Sequence, residues 1–178
     1  MSGAVAMMAI LGVDSLASQM TSVTEIEFRT APFDDGDAAV LVQALHAEMA
    51  VIYEGLDMDS SNMPTVGAAE LGAPHGTFLV GYEHGEPICC GGVKRLDEHH
   101  CELKRMYVVP RARGRGVARR LLGALEHAAA QLGYTIARLA TGPRQPAARH
   151  LYESAGYVVI GNFNDDPEAS FFGEKPLR

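Results

Sequence analysis

The sequence predicts one mixed α/β domain of the α+β kind, a mostly antiparallel sheet of about six to seven strands flanked by about four helices. Three observations predict it. Strand-like stretches with short turns between them fill the middle of the chain. Longer segments with apolar residues at helical spacing separate the other strands. Neither an internal repeat nor a low-complexity linker interrupts the order.

Taken in order, "TEIEFRTA" (24–31) alternates Ile26 and Phe28 with polar residues and reads as the first strand. Asp34, Asp35 or Asp37 caps a helix on which Val40, Leu41, Ala44, Leu45, Glu48 and Ile52 recur at helical spacing. "LDMDSSNMP" is a loop, and Pro64 opens a second short helix. Residues 76–110 read as three antiparallel strands, with turns at Glu83–Glu86 and Asp97–His100. The next helix presents Val117, Leu121, Leu125, Ala128 and Leu132 on one face, and Gly133 stops it. "YTIARLATG" is a short strand. "QPAARHLYESAGY" is a helix with Ala148, Leu151, Tyr152 and Ala155 on one face, ended by Gly156. "YVVIG" and "EASFFGEKPL" are the last strands. The order is β-α-(α)-β-β-β-α-β-α-β-β, and the domain covers residues 21–178.

Composition narrows the function. At 178 residues, 47% hydrophobic and 21% charged, the chain is globular. A formal net charge of -7 argues against nonspecific binding of nucleic acid or membrane by the whole surface. Residues 1–20 hold an apolar run, "AVAMMAILGV", too short to span a bilayer and lacking the basic start of a signal peptide. They read as a dispensable extension, or alternatively as a short helix packed on the domain or a partner subunit. Cys89, Cys90 and Cys101 are too few and too clustered for a disulfide framework; Cys89 and Cys90 read as buried small residues, and a reducing, cytoplasmic compartment fits. His99, His100 and Cys101 match no standard zinc spacing, so no metal is expected.

One stretch stands against the acidic background, "RARGRGVARR" (111–120). Pro110 ends the strand before it, and a helix starts near Gly116. A helix N-terminus offers unpaired N–H groups and the positive end of the dipole, so it binds anions without side-chain charge. Gly114 and Gly116 let the backbone curl toward an anion, and Arg113, Arg115 and Arg119 add charge around it. This combination suits a pyrophosphate. No Walker A string occurs, and "GRGVAR" lacks the third glycine of a dinucleotide fingerprint. A nucleic-acid arm would be a tail or exposed helix with aromatic neighbours, unlike this short internal run.

The same string resembles the signature of the GCN5-related N-acetyltransferase (GNAT) superfamily, Q/R-x-x-G-x-G/A after the fourth strand. It reads Arg113-Gly114-Arg115-Gly116-Val117-Ala118. A second register from Arg111 fits the letters, and the distance from Val108 favours the first. "ELKRMYVVPRARGRGVARRLL" resembles the family's strand, loop and helix, and "QPAARHLYESAGYVVI" its later N-x-x-A-x-x-LY-x-x-x-GF block. The resemblance runs from about residue 24 to the C-terminus, in the family's order, and implies the GNAT fold.

The resemblance implies acetyl-CoA as co-substrate. Backbone groups of Met106 and Val108, with Tyr107 between them, would bond the pantetheine arm as an added strand does. The amides of Gly114, Arg115, Gly116, Val117, Ala118 and Arg119 would hold the pyrophosphate, with Arg113 as the motif's anchor. Gln145 stands where many members have a cofactor-touching asparagine, a departure from the pattern. Tyr152 lies where the family's general-acid tyrosine lies, and a phenol can protonate a departing thiolate. Glu102 sits at the strand position where histone-type members carry a base; roughly 13 Å of strand separates it from Met106, so it would act through water. Its structural alternative is pairing with Lys104 or Arg105.

Glu48 and Tyr53 fall on the helical region that walls the acceptor site in the family. Glu48, Glu54, Asp57 and Asp59 suggest a cationic or amino-bearing acceptor, a small-molecule amine or a peptide. No cysteine is placed for a covalent acyl-enzyme, so direct attack in a ternary complex is expected. The rival class is a catalytically inactive acyl-CoA-binding sensor, against which Tyr152 argues. Family members are often dimers; the residues themselves leave a homodimer open.

Overall fold

The computed structural model describes residues 25–64 and 66–178. The extension at residues 1–20 lies outside them. Seven strands and three α-helices occur among the described residues, in the order β1 (Glu27–Thr30), α1 (Gly36–Ile52), β2 (Thr77–Glu83), β3 (Glu86–Arg95), β4 (His100–Val108), α2 (Val117–Gln131), β5 (Ile136–Thr141), α3 (Pro146–Ser154), β6 (Val158–Val159), β7 (Phe171–Pro176). A single 3-10 turn, Pro110–Ala112, precedes α2.

Asp35 sets the start of α1, its carboxylate accepting from the Gly36 N–H at 2.8 Å. The buried face of α1 is Ala38, Leu41, Val42, Leu45 and Met49, the i, i+3, i+4, i+7, i+11 pattern of a helix on a sheet. Val40, expected on that face, is 63% exposed. The face of α2 likewise shifts by one residue at its end. Val117, Leu121, Leu122, Leu125 and Ala129 are buried, and Leu132 emerges into solvent. Gly133 and Gly156 follow α2 and α3 at φ 95° and 92°, the left-handed C-terminal stop expected of them. The helix expected from Pro64 does not form among the described residues; turns lead from the end of α1 to β2.

The sheet order is β1-β2-β3-β4-β5-β7-β6. All neighbours are antiparallel except β4 and β5. That parallel pair holds for three positions only: His100 opposite Ile136, Cys101 opposite Ala137, Glu102 opposite Arg138. Beyond them the two strands part, and β4 runs on to Val108 without a partner on that side. The sheet therefore splits into a V, closed at Glu102 and open toward Met106–Val108. Against β3, β4 carries a bulge in which Arg105 and Met106 together face Gly91. Arg105 takes φ 56°, a left-handed conformation that side chains other than glycine rarely adopt. The three cysteines are free and buried in the core.

Candidate active site

Two cavities open into the V. The outer one is a groove of about 480 Å³ between the start of α2 and α3. Its floor is Met106, Tyr107 and Val108, and its far wall carries Arg113, Gly114, Gly116, Val117, Ala118 and Arg119. The inner one, about 110 Å³, lies between α1, β4, β5 and the loop before β7. Five residues line both: Leu45, Met49, Met106, Gln145 and Tyr152. These five mark the passage from one cavity to the other.

Local sequence builds the groove. Gly114 and Gly116 adopt φ 73° and 74°, so the chain folds tightly before α2. Gly116 is the N-cap and has no side chain to bond the first turn; no acidic residue occupies that turn. The first N–H groups of α2 have no intrahelical acceptor, and the dipole adds positive potential there. Arg113 donates from Nε to the Val108 carbonyl at 2.9 Å and from Nη2 to Glu48 at 2.6 Å. Arg119 reaches from α2 to α3, donating to the Ser154 hydroxyl at 2.6 Å. Of the eleven residues anticipated for the cofactor, ten line the groove. The exception is Arg115, whose guanidinium pairs with Glu83 at the end of β2 and leaves only its backbone near the turn.

Tyr152 sits on α3, 7% exposed, at the junction of the cavities. Phe171 stacks on its ring and Tyr157 tilts against it, fixing its direction. Its hydroxyl has the thioether of Met106, a weak acceptor, at 3.8 Å. Burial pushes the phenol up to about 12. Gln145 caps α3 and donates to the Met49 sulfur at 3.2 Å.

Tyr53 follows α1 and walls the inner cavity. Its hydroxyl accepts from the Arg144 N–H at 3.3 Å, and it lies directly over Gly142, where any Cβ would collide with it. Glu48 borders the outer groove, tied to Arg113, and does not line the inner cavity. Glu102 lines neither cavity. It is fully buried at the closed end of the V, where Lys104 lies at 3.1 Å and Asn164 donates at 2.7 Å to the same carboxylate oxygen. The geometry matches its structural alternative, the pair with Lys104.

The inner cavity also holds what sequence reasoning passed over. Its charged lining is Lys104, Arg105, Asp166 and Glu168, none of the four acidic residues first singled out. Asp166 and Glu168 come from the loop before β7, which starts at Phe171 and not at Glu168 as its apolar run suggested. Only the adjacent basic pair Lys104–Arg105 in a strand was available as a signal. Burial raises the thiols of Cys89 and Cys101 to about 12 and that of Cys90 further, so none supplies a thiolate. Among the described residues no cluster of three metal-ligating side chains occurs, and no helix is long and apolar enough to cross a membrane.

This architecture is found in known proteins. The chain is 37% identical over 153 residues to an IAA acetyltransferase of Azospirillum brasilense, covering 84% of this chain and 95% of that one. A Klebsiella pneumoniae protein described as an acyl-CoA N-acyltransferase superposes with a TM-score of 0.71 at 30% identity, over 87% of this chain and 99% of that one. An N-acetyltransferase of Thermoplasma acidophilum, solved in complex with coenzyme A, superposes with a TM-score of 0.61 at 18% identity, over 85% and 99%. The sequence profile of the acetyltransferase (GNAT) family matches residues 42–157. With that profile spanning well over half of the chain, and a relative 37% identical over most of both lengths, the chain belongs to the acetyltransferase (GNAT) family.

Proposed function

We propose that the chain transfers an acetyl group from acetyl-CoA to a primary amine by direct attack, with the co-substrate in the outer groove and the amine in the inner cavity. The observation that carries this reading is the position of Tyr152, which lines both cavities where they meet. Acetyl-CoA supplies the electrophilic thioester. The N–H groups at Gly114–Arg119 suit its pyrophosphate, with Arg113 and Arg119 as flanking charges. The unpaired edge of β4 from Met106 to Val108 suits an extended arm with amide groups of its own.

The chemistry needs a C–N bond to form, the C–S bond to break, and a proton to reach the departing sulfur. Tyr152 holds that proton, since burial keeps the phenol neutral far above physiological pH. The acceptor must arrive as a neutral amine. Asp166 and Glu168, the carboxylates on the inner cavity, are better placed to take its proton than the sealed Glu102. The raised thiols of the three cysteines favour this direct route over an acyl-enzyme. The reading places the enzyme in the cytoplasm, where acetyl-CoA and reduced cysteines coexist, and a homodimer is compatible with it.

The test is calorimetric binding of acetyl-CoA, followed by acetyl-CoA-dependent thiol release across a panel of amines and peptides. Binding and turnover of at least one amine support the reading. Absence of acetyl-CoA binding overturns the site; tight binding without turnover on any acceptor makes the domain an acyl-CoA sensor instead.

A further inference from the structure

Arg105 is the most unusual residue of the inner cavity. Its side chain is 4% exposed, yet no buried carboxylate is dedicated to it. Its Nη2 donates to the Met58 carbonyl at 3.2 Å and to Asp59 at 3.3 Å. Asp59 is itself 60% exposed and shared, with its other oxygen 3.4 Å from His46 Nδ1. Glu102, two strand positions before Lys104, gives one oxygen to Lys104 and Asn164, while its other oxygen is buried without a hydrogen-bond partner and not within ion-pair distance of Arg105. The Nε of Arg105 is buried with no partner. A guanidinium out of water is stabilised only when its fork of donors is matched, and this one is matched in part.

A second unpartnered polar atom belongs to a residue that lines the same cavity from the opposite arm of the V. The Thr141 hydroxyl, at the end of β5, is buried and has no hydrogen-bond partner. The bulge gives the arrangement its cause. By placing two residues opposite Gly91, it turns Arg105 into the cavity at the cost of a left-handed φ, a strain that persists only where the surroundings demand it. The cavity's charged lining is balanced, Lys104 and Arg105 against Asp166 and Glu168. A polycation entering it would meet two fixed cations. A molecule bearing both an amine and an anion would satisfy both signs.

We infer that the acceptor is an amine carrying a carboxylate a few bonds from the reacting nitrogen, of the amino-acid type, with the carboxylate seated on the Arg105 fork and within reach of Thr141. This deepens the transferase reading and rests on it. A planar carboxylate takes two parallel bonds from a guanidinium, a match that an ammonium, an amide or a neutral amine lacks. Burial lowers the pKa of Arg105, and the nearby carboxylates of Asp59, Asp166 and Glu102 push it back up, so a bound anion would further favour its charged form.

The experiment compares matched acceptors, each an amino acid, its carboxamide and its decarboxylated amine, in the thiol-release assay with wild type, Arg105→Gln and Arg105→Lys. Acetyl-CoA affinity is measured for each protein by calorimetry. In wild type the carboxylate-bearing acceptors should exceed their amides by roughly 10- to 100-fold in kcat/KM, the range of charge-assisted hydrogen bonds. Arg105→Gln should erase that preference by raising KM for the amino acid far more than KM for the amide, with acetyl-CoA affinity unchanged. Arg105→Lys should restore part of it. Equal use of all three acceptor types by wild type, or a preference surviving in Arg105→Gln, overturns the inference alone. An aminophosphonate or aminosulfonate used better than the carboxylate overturns the choice of anion. Failure of wild type to bind acetyl-CoA or to acetylate any amine overturns the transferase reading beneath it.

Discussion

Gly116 separates backbone from side chain at the proposed pyrophosphate seat. It is the N-cap of α2 at φ 74°, and a Cβ built on it meets no protein atom within 4 Å. Replacing it by alanine therefore creates no internal clash. The folding penalty is that of a left-handed alanine, about 1–2 kcal/mol. For a domain of this size that is a Tm loss of roughly 2–8 °C. The binding penalty comes from elsewhere, because Gly116 lines the groove. A methyl group there displaces an anion from the N–H groups at the helix start. Losing one charge-assisted bond costs about 1.5–3 kcal/mol, or roughly 10- to 150-fold in acetyl-CoA affinity. Gly116→Asn divides the two effects, since asparagine tolerates the left-handed region. It should lose less Tm than alanine and at least as much affinity. Gly123→Ala is the control; it lies mid-helix on α2 with open space around it and should gain about 0.5–1 kcal/mol without touching binding. Calorimetry with acetyl-CoA and a thermal melt read both quantities. An alanine or asparagine variant that melts as expected and binds acetyl-CoA within about 2-fold of wild type, a difference under about 0.5 kcal/mol, would refute the seat.

The other predictions follow from the same geometry. Tyr152→Phe should lower kcat by about 100-fold or more while leaving acetyl-CoA affinity unchanged, measured by thiol release and calorimetry. Because burial holds this phenol up to about 12, the wild-type rate should show no fall from its ionisation below pH 10, where an ordinary tyrosine is half ionised. Glu48→Gln should leave the acceptor KM unchanged and tighten acetyl-CoA by roughly 2- to 5-fold, since it frees a half-exposed Arg113 for the phosphates; an altered acceptor KM would return Glu48 to the acceptor wall. Gly142→Ala should displace the Tyr53 ring and raise the acceptor KM, with acetyl-CoA affinity as in wild type, because Tyr53 lines the inner cavity alone.

What the sequence revealed depended on how local each signal was. The glycine turn, the strand before it and the helix after it are contiguous, so residues 106–119 could be read as one unit, and nine of these fourteen line the groove. Arg115 could not be sorted from Arg113 and Arg119 in the same way. Its partner Glu83 lies 32 residues earlier, and only the hairpin brings the two together. Glu48 and Tyr53 were one stretch of helix in the sequence, and a single turn assigns them to different cavities. Glu102 was judged by its strand position, and its burial under Asn164 depends on a loop 62 residues away. The inner cavity was least legible of all. It is assembled from α1, the turns after it, both arms of the V and the loop before β7, and none of these announces a ligand by itself.

Within that assembly, β4 divides the work by position along one strand. His100–Glu102 pair with β5 and close the V. Arg105 and Met106 share one bulge, and they go different ways: Arg105 lines only the inner cavity, whereas Met106 lines both. Tyr107 and Val108 line only the groove and lead into the glycine turn. The bulge is therefore where the strand changes from facing the inner cavity to facing the outer groove. Were it absent, side-chain alternation would carry each later residue to the opposite face, and Met106 could not stand beside Tyr152 while Arg105 entered the cavity. The residue that bears the backbone strain is thus the one whose side chain lines the inner cavity alone, and the residue after it holds the passage. On the proposed reading, the strain falls on the residue that would hold the acceptor's carboxylate, one residue short of the passage between the cavities.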